Sequence, residues 1–114
     1  MIDWDNIETV LLDMDGTLLD LQFDNYFWQQ HLPRVYADKN QLSADESSRR
    51  LETRFHADHG TLKWYSLDHW SEQLQLDIPA LKRELRHMVR VRPYALEFLR
   101  RLHDSDRDVV MVTN

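Results

Sequence analysis

Residues Val10 to Asp20, VLLDMDGTLLD, set two aspartates two residues apart at the end of an apolar run, with a glycine directly behind them. Thr9, Val10, Leu11 and Leu12 have the length and β-branched character of a buried strand, so Asp13 falls where the chain leaves a sheet. In open parallel sheets, ligands bind at the carboxyl ends of the strands. Gly16 permits a tight turn whose amides can point at an anion, and two carboxylates this close invite a divalent cation or a division of protonation roles. A calcium loop fails on spacing, since the sixth position from Asp13 should be glycine and is Leu18. The bland alternative is a strand-to-helix turn whose aspartates hydrogen-bond their own backbone. Against it stand the cost of an unpaired charge at the end of an apolar strand and a second strand that offers Thr-Asn at the equivalent place.

That second strand is Asp108 to Asn114, DVVMVTN, again β-branched and apolar. Between the two, helical spacing takes over. Asp24 is placed to cap a helix carrying Tyr26, Phe27 and Trp28, with Pro33 interrupting it or marking a new turn. Ser43-Ala-Asp-Glu46 is a capping box, followed by Ala44, Ser48, Leu51 and Phe55 on one helix face. Gly60 closes that helix, and Thr61 is placed to cap the next, with Leu67, Trp70 and Leu74 in line. Asp77 precedes Ile78, Leu81, Leu85 and Met88 at the same spacing. Short links between such helices predict a small antiparallel bundle. Pro93 opens a further helix with Ala95, Phe98, Leu99 and Leu102 on its buried side. Strand, insertion, helix, strand predicts a right-handed crossover and parallel strands, so Asp13 and Asn114 emerge at one sheet edge. Hinges are expected near Leu19 to Phe23 and Val89 to Pro93.

The strand followed by D-x-D-G-T-L-L-D resembles motif I of the haloacid dehalogenase (HAD) superfamily, and DVVMVTN looks like its motif II. The resemblance implies an α/β fold: a HAD-like Rossmannoid core of parallel strands with an inserted α-helical C1 cap. On that reading residues 1–20 are the first core strand and motif I loop, 21–91 the cap, and 92–114 the core helix and motif II strand. LQFDNYFWQ (Leu21 to Gln29) and TLKWYSLDHWSEQLQLDI (Thr61 to Ile78) look similar to the bacterial GMP/IMP nucleotidase branch. The implied activity is Mg²⁺-dependent phosphoester hydrolysis through an aspartyl-phosphate, with a purine nucleotide as substrate; the alternatives are a sugar-phosphate phosphatase or phosphomutase of the same superfamily and a non-catalytic fragment. Asp13 is the implied nucleophile and Asp15 the implied acid and base. Mg²⁺ is implied on the Asp13 carboxylate and the Asp15 carbonyl, and substrate contacts at Gly16, Thr17, Thr113 and Asn114. The lysine of motif III and the acidic residues of motif IV have no counterpart here, so the chain is expected to be the N-terminal portion of a larger fold.

Composition narrows the partners. The net charge of −6 argues against a nucleic-acid backbone, which takes an excess of Lys and Arg to bind. No run is long and apolar enough for a membrane span, and the acidic start MIDWDNIE lacks a signal-peptide core, so a cytoplasmic protein is expected. The absence of cysteine excludes disulfides, thiolate metal sites and cysteine nucleophiles. His56 and His59 read as solvated residues favoured by a helix dipole rather than as metal ligands. Lys82, Arg83, Arg86, Arg90 and Arg92 read as a solvated helix face with Glu84 interspersed. Most of the aromatics between residues 23 and 70 are expected in the bundle core, with Phe23 and Trp64 as candidates to stack on a nucleobase.

Overall fold

The computed structural model describes residues 1–114. In chain order it contains β1 (Thr9–Leu12), α1 (Gln22–Tyr26), a π-helical stretch (Phe27–His31), α2 (Leu32–Asn40), α3 (Ala44–Asp58), α4 (Leu67–Leu74), α5 (Ile78–Glu84), α6 (Ala95–His103) and β2 (Asp108–Met111). Short 3-10 turns occupy Trp4–Asn6, Leu62–Tyr65 and Arg86–Met88. The chain divides into two compact units, residues 1–21 with 89–114, and residues 22–88. No helix is long and apolar enough to cross a membrane.

In the first unit, β1 and β2 pair in parallel, with Thr9 opposite Asp108 and Leu12 opposite Met111. Leu12, Leu18, Ala95 and Leu102 form the buried core, with Val10 and Leu99 packed against it. The strand is less buried than its apolar sequence predicts. Successive side chains of a strand point to opposite faces, and Leu11, on the face away from Val10 and Leu12, is 66% exposed. All of β2 is exposed as well. Phe98 also departs from expectation: it lies on the open side of α6, edge-on to Trp4 at 6.3 Å. Arg107 holds the N-terminal turn by donating from Nε to the Ile7 carbonyl (3.0 Å) and from a second nitrogen to the Trp4 carbonyl.

The second unit is helical, with Phe27, Leu32, Tyr36, Leu51, Trp70, Leu74, Ile78 and Leu85 as its buried core. Its first three helical segments run on without a break from Gln22 to Asn40. Asp24 therefore lies within the first turn of α1 and does not cap it. Pro33 explains the π-helical stretch. A proline inside an α-helix has no N–H for the carbonyl four residues back, and its ring clashes with that carbonyl. The wider turn ahead of it, in which Leu32 N–H bonds to Phe27 O, carries the chain past the proline without a break.

Ser43 caps α3 as the capping box predicts, its Oγ accepting from Glu46 N–H at 3.2 Å. Glu46 instead turns its carboxylate to Arg49 and Arg50. The hydrogen bond from Arg50, then the charge of Arg49, hold that carboxyl below its ordinary range. The buried residues of α3 are Ser47 and Leu51, with Phe55 packed against the same core; of the predicted row only Ala44 is exposed. Ser47 fits there because its hydroxyl donates to the Pro33 carbonyl at 2.6 Å. Replacing Ser47 by Ala removes that donor from a fully buried position, and about 1 kcal/mol of stability should go with it. Urea denaturation followed by tryptophan fluorescence will show the lower midpoint. α4 is capped by Ser66, whose Oγ accepts from His69 N–H at 3.1 Å. Thr61, predicted for that role, donates its hydroxyl to Asp58 O and precedes a 3-10 turn instead. Asp77 caps α5 through Ala80 N–H at 3.0 Å.

Candidate functional site

At the carboxyl end of β1 the chain turns sharply. Met14 O accepts from Leu18 N–H and Leu19 N–H, both at 2.9 Å, and from Thr17 N–H at 3.3 Å. Gly16 takes a φ of +77°, a region side chains rarely enter, and its N–H donates to Leu19 O at 2.8 Å. Leu18 is pinned in the core while Asp13, Asp15 and Thr17 face solvent. The turn is thus anchored by one apolar side chain and presents polar ones at alternate positions. A Cβ at Gly16 would stand 3.3 Å from the Leu21 side chain in addition to the strained φ. Gly16→Ala should therefore destabilise the first unit by about 1–2 kcal/mol; an unchanged thermal midpoint by circular dichroism would contradict the turn described.

Asp13 Oδ1 accepts from Met14 N–H at 2.7 Å. That is the self-capping contact of the bland alternative, and it leaves Oδ2 for another partner. Asp15 lies in an isolated bridge with Leu19. The hydrogen bonds of that bridge run from Gly16 N–H to Leu19 O and from Leu19 N–H to Met14 O, so they flank Asp15 and do not use its own amide or carbonyl. A carboxylate oxygen and a backbone carbonyl, both hard donors, are the kinds of group that suit Mg²⁺. No group of three or more His, Asp or Glu side chains stands together as a metal cage anywhere in the chain, this turn included.

Beyond β2, Val112 N–H donates to Leu12 O at 2.7 Å and extends the ladder by one residue. Adjacent strands lie about 4.8 Å apart, so Asp13 and the exposed pair Thr113 and Asn114 leave the same end of the sheet on neighbouring strands. The sequence-predicted residues Asp13, Asp15, Gly16 and Thr17 share one turn, and Thr113 and Asn114 follow the adjacent strand.

Sequence reasoning missed Arg92. The basic cluster is not one solvated helix face. Lys82 pairs with Asp24 at 3.0 Å and sits 5.3 Å from the centre of the Trp28 ring. Arg92 lies outside any helix and donates from Nη1 to the Gly16 carbonyl at 3.2 Å. The signal that could have found it is Pro93, which drives the preceding residue into extended backbone. The helical unit has a separate open depression of about 580 Å³ lined by Glu52, Thr53, Phe55, His56, His59 and Trp64. Trp64 is edge-on to Phe55 at 6.0 Å and to Trp70 at 6.3 Å, so it belongs to the aromatic packing of the bundle.

Residues 10–114 match the family of haloacid dehalogenase-like hydrolases. The chain belongs to the HAD family. Over 113 residues it is 44% identical to the GMP/IMP nucleotidase YrfG of Escherichia coli (strain K12), covering 99% of this chain and 51% of that protein. The GMP/IMP nucleotidase YrfG of Shigella flexneri matches with the same figures. A solved HAD phosphatase from Thermococcus onnurineus superposes with a TM-score of 0.78 at 24% identity, covering 94% of this chain and 51% of that one. That likeness bears on the fold, which is the HAD α/β arrangement with its parallel strand pair. The chain spans about half the length of the curated relatives it matches.

Proposed function

We propose that this HAD chain carries the nucleophile of a phosphohydrolase that works through an aspartyl-phosphate and acts on a purine 5′-nucleotide such as GMP or IMP. The observation that carries the reading is Asp13 at the carboxyl end of β1, in a Gly16 turn, beside the strand that leads to Thr113 and Asn114. The nucleotide substrate is supported by the 44% identity to a GMP/IMP nucleotidase. Residues 22–88, inserted between the turn and α6, are read as a C1-type cap.

In the proposed reaction the Asp13 carboxylate attacks phosphorus. It needs no general base, because a carboxylate is already ionised at neutral pH. The phosphoester bond breaks, and its oxygen leaves with a proton from the Asp15 carboxyl. Asp15, now ionised, takes a proton from water as that water attacks the acyl phosphate. Inorganic phosphate departs and Asp13 is regenerated. Thr113, through its hydroxyl, and Asn114, through its backbone amide, are assigned to the phosphate oxygens, where donors stabilise charge in the transition state. Mg²⁺, when bound on the Asp13 carboxylate and the Asp15 carbonyl, supplies positive charge against the phosphate.

The test joins residues 1–114 to the remaining half of the E. coli nucleotidase and measures phosphate release from GMP, IMP and a panel of sugar phosphates, with Mg²⁺ or with EDTA. Metal-dependent release from the purine nucleotides is the expected result. A folded hybrid that prefers sugar phosphates would remove the nucleotide assignment, and one that turns over nothing would remove the reaction.

A further inference from the structure

Resting on the reading of Asp13 and Asp15 as the reacting pair, we infer that Arg92 is a positioning residue of that site, holding the Gly16 turn in shape through its guanidinium.

The contact is built from the sequence upward. Pro93 disfavours helical backbone at Arg92, and residues 90–92 accordingly run extended beside the segment that returns from the turn. Asp20 N–H donates to Arg90 O at 2.8 Å, Arg92 N–H donates to Leu18 O at 2.9 Å, and Leu19 pairs with Val91 in an antiparallel bridge between them. This short ladder fixes where the Arg92 side chain starts. From there Nη1 reaches the Gly16 carbonyl, 76 positions away in sequence.

That carbonyl is a sensitive place to hold. It shares a peptide plane with Thr17 N–H, whose own bond to Met14 O is long at 3.3 Å. Without the guanidinium, the plane between Gly16 and Thr17 is held by that weak bond alone, next to a glycine with wide backbone freedom. The neighbouring plane contains the Asp15 carbonyl and Gly16 N–H, which donates to Leu19 O at 2.8 Å, so a turn of the plane beyond Gly16 strains the bond that aims the group proposed to face the cation. The charge matters in the same direction. Asp13, Asp15 and Asp20 lie within one short segment, and a permanent positive charge against that turn offsets their mutual repulsion. A guanidinium keeps further N–H groups after donating one to Gly16.

The test has two arms, using Arg92→Ala and Arg92→Lys. In the 114-residue chain, amide hydrogen exchange is read at Gly16, Thr17 and Leu19, with β1 and α6 as internal references. Arg92→Ala should speed exchange at the three turn amides by about fivefold to tenfold, with the reference amides unchanged, and Arg92→Lys should recover part of it. In the hybrid enzyme, kcat for GMP should fall about tenfold with KM held within about twofold, because the turn is displaced while substrate contacts remain. Unchanged exchange at the turn overturns the inference. So does a uniform rise through β1 and α6, which would make Arg92 a general stabiliser, or a raised KM at constant kcat, which would make it a substrate ligand. The exchange arm needs no turnover, so it decides the role of Arg92 even if the hybrid hydrolyses no nucleotide and the proposed reaction fails.

Discussion

Asp13→Asn in the hybrid enzyme should reduce phosphate release from GMP to the level of the buffer, a loss of about 10⁴-fold or more, on the scale seen when a covalent nucleophile is removed. The substitution is a clean one at this position. Asn keeps an Oδ1 that can accept from Met14 N–H, the one hydrogen bond Asp13 makes at 2.7 Å, so the turn has no reason to rearrange. Asp13 is exposed, so no buried charge is stranded or relieved by the change. What disappears is the anionic oxygen that attacks phosphorus. The measurement pairs the rate with a thermal melt, because the argument requires the two to separate. A variant that melts with the parent and releases no phosphate identifies Asp13 as chemically essential. A variant that retains a tenth of the parent rate would exclude the aspartyl-phosphate route, since water or another group would then be doing the attacking. With Asp15→Asn, the first step should survive for substrates with good leaving groups, whose departing oxygen needs no proton, while steady phosphate release stays impaired because Asp15 is also the base for the attacking water.

What could be read from the residues alone follows the range of the forces involved. The strand, the D-x-D-G turn and the cap at Ser43 are decided within a few positions, and each is found where its residues imply. Parallel pairing followed from the order of strand, helix and strand. The departures lie where a particular hydrogen-bond partner, near or distant in sequence, outvotes a general preference. Thr61 is as good a cap as Ser66 by composition, yet its hydroxyl is taken by Asp58 O, and the helix begins after Ser66. Ser47 reads as a solvent-facing residue until Pro33 O, fourteen positions earlier, supplies an acceptor inside the bundle. Pro33 reads as an interruption or a new turn, and the chain takes it in the first turn of α2 after a wider helical turn. The apolar run of β1 implies cover on both faces, and within this stretch of about half the relatives' length only one face has it. In this chain Leu12 is in the core and Leu11 is open. Arg92 is the case with functional weight: local composition placed it in a charged cluster, and only the fold brings it to the Gly16 carbonyl.

Trp70→Ala should unfold the helical unit or leave it marginal, because the side chain is the largest one fully enclosed there. Its ring is edge-on to Phe55 at 5.0 Å and to Trp64 at 6.3 Å, with the His69 ring at 4.9 Å. Its Nε1 donates to the Trp64 carbonyl at 3.0 Å. Truncation loses the transfer free energy of the indole, leaves a cavity among rings that cannot collapse to fill it, and strands a carbonyl. Together these cost about 3–5 kcal/mol, a large share of the 5–15 kcal/mol typical of a whole domain. Trp70→Phe separates the contributions. It keeps a ring against Phe55 and Trp64 and gives up the hydrogen bond and part of the volume, so its cost should be about 1–2 kcal/mol. Urea titrations of both variants, followed by far-ultraviolet circular dichroism, supply the comparison. If the alanine variant unfolds at nearly the same urea concentration as the parent, the Trp70 ring is not the centre of that core. If the phenylalanine variant falls as far as the alanine one, the bond to Trp64 O outweighs the packing, and the 3-10 turn at Leu62–Tyr65 rather than the α3 face is what Trp70 secures.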